Sequence, residues 1–333
     1  MNAPKCEASD YIDFLVAAQK VFSCMEAARV QPADPQAPAH DALTRLLHRL
    51  DPAAVGASLW AEAAPQVRLQ DGLLVLDDST LDKFYARKIE LVHRHWSGKH
   101  HRVVEGINLL TLLWSDGDRH VPCDFRLYDA PHDGLTKNDH FRALLAVAAQ
   151  RGFAPACVAF DGWYASLENL KAVRALGWRW LTRLKANRQV DPDGKGNRSL
   201  GDTNVAESGT RTHLKGYGWI KVFRLVAPDG DTEHWASGDL EVDALTRLKW
   251  AEWSWAIEHY HRGLKQFCGV EKCQARAARA QRNHVALALR AFVRLEVYCF
   301  HSGISWFEAK ARIVRDAIRA YLTSPLYNLS STA

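Results

Sequence analysis

Three features of this sequence predict a mixed α/β fold: a sheet flanked by helices, with a β-strand insertion before the last core helix and a small helical region at the N-terminus. First, the apolar runs GLLVLDD and ACVAFD read as short buried strands that end in acids. Second, NDHFRALLAVAAQRG and SLENLKAVRALG carry helical periodicity and stop at Gly152 and Gly177, so helices alternate with strands. Third, WIKVFRLVAPDGDTEHWASGD is a pair of strand-like runs about a Pro-Asp-Gly-Asp turn, placed before a strongly helical segment.

Taken in order, residues 1–70 form a helical region. Ile12, Phe14, Leu15 and Ala18, then Leu43, Leu46, Leu47 and Leu50, recur at helical spacing on either side of the connector VQPADPQAPA. Residues 71–185 give the first part of the core. It begins as a three-stranded meander, with GLLVLDD, VVEGINLLTLLWSDG and RHVPCDFRLYD turning at Ser115-Asp116-Gly117-Asp118, and continues as β-α-β units. Residues 186–246 hold the insertion, opening on the loop-like stretch ANRQVDPDGKGNRSLGD. Residues 247–300 return to the core with one long helix, LTRLKWAEWSWAIEHYHRGLKQFCG, and residues 301–333 are a helical tail.

With 333 residues, 47% hydrophobic and 24% charged, the chain is long enough to bury a substantial core. Seven cysteines without a Cys-x-x-Cys pair argue for reduced structural thiols rather than a zinc ribbon. The start of the chain has early acids and no apolar run, and no window elsewhere is apolar for a membrane span. A cytoplasmic protein is expected. The net charge of +5 is unevenly spread, because residues 246–333 carry 14 Lys/Arg against 6 Asp/Glu. A second basic stretch, 83–104, includes Lys99 and Arg102. Such segments suit a polyanion, and a basic run alone equally reads as a solvated helix face.

The candidate chemistry lies in carboxylates. Asp78 and Asp161 each stand where an apolar strand ends, and Glu258 lies in WSWAIEHYHRGLK on the side away from Trp250, Trp253, Ile257 and Leu264. Two or three carboxylates suffice for Mg²⁺ or Mn²⁺, hard ions that take oxygen ligands and keep several waters. A pair of such ions activates a nucleophile and stabilises the leaving oxygen of an in-line phosphoryl displacement.

The order of acids on strand, later strand and helix resembles the ribonuclease H-like fold. The motifs LLVLDDST, FDGWYASLENLKAVRALGWRWLTRLKANR and WAIEHYHRGLKQFCGVEKCQAR are similar to those of DDE transposases of bacterial insertion sequences, over about residues 71–300. That family's signature, Tyr-x2-Arg-x3-Glu-x6-Lys, is met in its second half by Glu258 and Lys265. Its Tyr and Arg positions are occupied by Ala251 and Ser254.

The resemblance implies an enzyme that cleaves DNA at element ends and joins the freed strand to target DNA, as a homodimer or larger synaptic complex. Asp78, Asp161 and Glu258 would hold two Mg²⁺ ions. Asp78 is preferred over Asp77 because it directly precedes the Ser-Thr pair, Asp77 pointing to the other strand face. Arg262 and Lys265 share the face of Glu258, and Arg276, Arg279, Arg282, Arg290 and Arg294 are expected on phosphates. The resemblance also nominates Trp219 or Trp235 to stack on an unpaired base, and Trp255 to support the Glu258 helix.

His93, His95, His100 and His101 lack a carboxylate or thiolate at ligand spacing, so they read as a basic loop over DNA rather than a zinc site. The rival readings are a transposase relic that only binds DNA, favoured by Ala251 and Ser254, and a Mg²⁺-dependent nuclease without strand transfer.

Overall fold

The computed structural model describes residues 5–32, 34–97, 101–226 and 230–325. In chain order the helices are α1 (Ala8–Ala17), α2 (Cys24–Arg29), α3 (His40–Arg49), α4 (Pro52–Ala63), α5 (Ala130–Asp133), α6 (Lys137–Gln150), α7 (Leu167–Ala175), α8 (Ala244–Ser254), α9 (Ala256–Phe267), α10 (Ala278–Ser302) and α11 (Trp306–Thr323). The strands are β1 (Leu73–Asp82), β2 (His93–Ser97), β3 (Arg102–Ser115), β4 (His120–Leu127), β5 (Cys157–Phe160), β6 (Trp180–Leu184), β7 (Gln189–Asp191), β8 (Arg198–Ser199), β9 (Thr210–Leu214), β10 (Gly218–Val226) and β11 (Thr232–Ser237). The chain divides into two compact units, residues 56–261 and residues 1–55 with 262–333.

The first of these units is built on one sheet, in the order β2-β3-β1-β5-β6-β11-β10-β9-β7-β8, with β4 paired to β3. Strands β1, β5 and β6 run parallel at its centre, and β3 and β4 extend it antiparallel as the expected meander. Parallel strands covered on both faces need continuous apolar sequence, and Leu73, Leu74, Val75 and Leu76 are all buried. Leu74, Leu76 and Phe160 pack with Phe141, Leu144 and Leu145 of α6 and Leu170 and Val173 of α7. Helix α8 lies against β1, β5 and β6. The inserted strands join the same sheet, because β11 pairs antiparallel with β6.

Four elements depart from the sequence reading. Strand β1 continues through both acids to Asp82, held by β3 along its whole length. Part of the expected basic loop is strand β2, in which His95 is buried. The loop-like stretch after residue 186 contains β7 and β8. The single helix expected over 245–269 is broken into α8 and α9. There the Ser254 hydroxyl donates to the Ala251 carbonyl at 2.6 Å, and Trp255 N–H bonds back to the Glu252 carbonyl, tightening the last turn.

The second unit is helical. Tyr11 Oη lies 3.0 Å from His284 Nδ1, and the buried Asn283 donates its amide to the carbonyls of Leu47 and Leu50, closing the C-terminal end of α3. Lys310 is buried and donates to the carbonyls of Val16, Ala18 and Phe267. Among the described residues no helix is long and apolar enough to cross a membrane. Replacing Lys310 by Met keeps the length of the side chain but strands three carbonyls. We expect Lys310→Met to cost about 2–3 kcal/mol in urea denaturation, with the loss seen in the helical unit by amide exchange.

Candidate active site

Register decides which carboxylates meet. In the parallel β1–β5 pair, Leu76 stands beside Phe160, so the next residues, Asp77 and Asp161, leave adjacent strands at the same level and on the same face. Asp161 caps the following turn, accepting from Gly162 N–H at 2.6 Å. Gly162 is needed there, since a Cβ would lie 2.7 Å from the Arg183 carbonyl oxygen. On the other side of Asp77 stands Thr111 of β3, whose hydroxyl lies 3.5 Å from Tyr260 Oη of α9. That contact brings the first turn of α9, and with it Glu258, to the Asp77 face of the sheet. The Gly117 turn helps seat the preceding helix, approaching Trp253 so closely that a Cβ would meet its indole nitrogen at 2.6 Å.

The electrostatics report the same grouping. Burial pushes the Asp77 carboxyl well above the usual carboxylate range, followed by the charges of Asp78, Glu258 and Asp161, against a favourable backbone hydrogen bond. Among the described residues no cation pairs with Asp77 or Glu258. Asp161 has one counter-charge, Arg183 at 3.4 Å, and Arg183 also binds Glu233 of β11 at 2.7 Å. Asp77, with Asp161 and Glu258 near enough to act on it electrostatically, lies in a deficit of positive charge that hard divalent ions would supply.

Asp78 occupies the other face of β1. It accepts from Lys137 Nζ at 2.8 Å, Asn108 Nδ2 at 2.5 Å and Tyr164 Oη at 2.5 Å. Burial alone would raise its carboxyl, but the Lys137 charge and these three hydrogen bonds hold it below the usual range. The same carboxylate, with burial, pushes the Tyr164 hydroxyl far up. The expectation that Asp78 joins Asp161 and Glu258 therefore does not fit the geometry. Asp77, rather than Asp78, shares the level and face of Asp161.

Two family comparisons match this chain over more than half its length. The family described as "DDE superfamily endonuclease" matches residues 12–201, and "Transposase DDE domain" matches residues 116–294. The chain belongs to the DDE superfamily of endonucleases. No curated protein matches it. A solved structure described as a cryo-EM structure of a piggyBac transposase synaptic complex with hairpin DNA is similar in fold, with a TM-score of 0.53 over 98% of this chain and 74% of that one, at 11% identity. This DDE transposase is thus a DNA-cleaving enzyme, of a class that works with divalent metal ions.

The other residues singled out in the transposase sequence fare unequally. Arg262, Arg276 and Arg102 are exposed, whereas Lys265 pairs with Glu271 at 3.0 Å. Arg279 donates to the Leu50 carbonyl and Arg294 pairs with Asp13, so both also brace the helical unit; Arg282 and Arg290 are half-buried. Lys99 and His100 lie outside the described residues. Trp219 is 55% exposed, while Trp235 is held by Glu233 at 2.9 Å and by the Arg183 guanidinium over its ring. Trp255 is 63% exposed at the break between α8 and α9, so it does not brace the Glu258 helix as expected.

Sequence reasoning missed Lys137, Asn108, Tyr164 and Arg183, which hold the acids but lie far from them in sequence. The Asp77 assignment had a visible signal: LLVLD and CVAFD superpose as four apolar residues followed by Asp. Asp78→Asn should cost about 2–3 kcal/mol, because it strips a partly buried lysine of its counter-charge. Since the folded-state value of Asp78 is depressed, its contribution is present at neutral pH and should fade in urea melts as pH falls below about 4. Asp77→Asn should instead raise metal-free stability by about 1 kcal/mol by removing a buried charge and, with it, the repulsion from its acidic neighbours. Equal destabilisation by both variants would contradict the two-face arrangement.

Proposed function

We propose that this enzyme cleaves DNA at the ends of a bacterial insertion sequence and transfers the freed strand into target DNA, using Asp77, Asp161 and Glu258 to hold two Mg²⁺ or Mn²⁺ ions. The observation that carries the assignment is the Leu76–Phe160 register, which puts Asp77 and Asp161 side by side on the face visited by Glu258. Bound there, the ions would supply a nucleophile at neutral pH and stabilise the leaving oxygen.

The chain's own residues set up the rest. Strand pairing fixes the two aspartates on a rigid sheet, and the hydrogen bond from Gly162 N–H orients the Asp161 carboxylate. Glu258 lies in the first turn of α9, where the helix dipole favours a negative side chain. Lys137, Asn108 and Tyr164 keep Asp78 charged but directed away, so it stabilises β1 without competing for the ions. Arg262, Arg276 and Arg102 offer exposed cations for backbone phosphates, and Trp219 is the insertion aromatic with a free face for an unpaired base. Handling two ends together calls for a dimer or larger synaptic complex.

The reading in which the chain only binds DNA draws on Ala251 and Ser254, where the signature Tyr and Arg are replaced. The spent Ser254 hydroxyl, bonded to Ala251, offers nothing to phosphate in their stead. Cleavage of duplexes that carry the flanking inverted repeats, with and without Mg²⁺, separates the two. Asp77→Asn, Asp161→Asn and Glu258→Gln should each lower the cleavage rate on the order of 10³-fold, several kcal/mol of transition-state stabilisation, while leaving end binding intact. A wild-type chain that binds but never nicks, or an Asp77→Asn chain that still cuts, would overturn the assignment.

A further inference from the structure

The histidines of residues 93–101 have no carboxylate or thiolate beside them in sequence, and the fold brings one from elsewhere. Asp129, which precedes α5, is buried, and its carboxylate makes no cap to that helix. One of its oxygens, Oδ1, is approached by two imidazoles from different elements. His93 Nε2 of β2 lies at 3.2 Å and His132 Nδ1 of α5 at 2.6 Å. One ligand atom from each of the three lies within 4.8 Å of the others, and the two rings, 6.4 Å apart and inclined by 42°, do not stack.

We propose that His93, Asp129 and His132 form a second metal site, separate from the Asp77 cluster, for a borderline divalent ion of the zinc class. The donor set is two imidazole nitrogens and one carboxylate oxygen, which suits Zn²⁺ and its transition-metal neighbours. Mg²⁺ favours all-oxygen shells and suits the three carboxylates instead. Zinc bonds of about 2.0–2.1 Å place ligand atoms roughly 3.3 Å apart. The two nitrogens lie 3.2 and 2.6 Å from Oδ1, no pair of the three atoms is more than 4.8 Å apart, and the His132 ring has room to adjust, its side chain being 69% exposed. The same exposure leaves the fourth position to water.

Such an ion would tie β2, an edge strand paired only to β3 among the described strands, to α5. Gly134, in the left-handed region, then turns the chain toward α6 and Lys137, the residue that neutralises Asp78. The site therefore positions the segment behind the Asp77–Asp161 face and touches no reacting atom.

The test loads the full chain with Zn²⁺ in the presence of excess Mg²⁺, removes loose metal and measures zinc by mass spectrometry. Wild type and an Asp77→Asn/Glu258→Gln variant should retain about one zinc per chain. His132→Ala and His93→Gln should lose it, and His213→Ala, an exposed histidine elsewhere, should not. Cobalt loading should give visible absorption bands that vanish in the same two variants. Zinc should raise the melting temperature of wild type but not of His132→Ala, whose fold is checked by circular dichroism and whose replaced side chain is exposed. The proposal fails if wild type retains no zinc, or if His132→Ala retains it. It fails equally if the Asp77→Asn/Glu258→Gln variant loses it, since the ion then belongs to the carboxylate cluster.

Discussion

The parallel register of β1 and β5 is the constraint on which the rest of the structure depends. Because strand side chains alternate with a period of two, a slip of one residue would exchange Asp77 for Asp78 beside Asp161 and drive Leu74 and Leu76 out of the core shared with α6 and α7. The apolar burial on one face thus enforces the carboxylate pairing on the other. The strands supply the precision, and hydrophobic packing supplies the energy that holds it.

Two consecutive aspartates on one strand would be costly if both faced the same way. Here the sheet separates them. Asp78 is surrounded by a lysine, an amide and a phenol and is ionised in a structural role, whereas Asp77 meets only like charges. A site that is electrostatically unfavourable when empty gains more from binding a cation than a neutralised one would. Arg183 gives Asp161 a counter-charge while linking it to Glu233 of the inserted strand β11.

How much of this was legible in the sequence followed the range of the interactions involved. The helices α6 and α7, stopped near Gly152 and Gly177, and the turn at residues 115–118 are local signals and appear in the structure as read. Asp161 and Glu258 could be singled out as candidates because each is embedded in a long local pattern. The end of β1 was misplaced because the sequence turns polar at Asp77, although β3 goes on supplying hydrogen bonds to Asp82. Pairing overrode composition there. Strand β2 was hidden in the same way by its histidines, and the partners of Asp78 come from 30, 59 and 86 residues away.

The break between α8 and α9 shows how local chemistry and the site are joined. The helix is interrupted at residue 255, and the Glu258 N–H bonds back to the Trp255 carbonyl at 3.0 Å. At Ser254 the side-chain hydroxyl turns onto the Ala251 carbonyl, and Trp255 closes the turn by bonding to Glu252. A new helix then starts at Ala256, so Glu258 falls within its first turn, at the positive end of the dipole. The redirected α9 is anchored two residues later by Tyr260, which is fully buried and reaches Thr111 directly beside Asp77. Ser254, at the position compared with the signature arginine, therefore stands at the helix break, and Tyr260 anchors the helix that carries the glutamate.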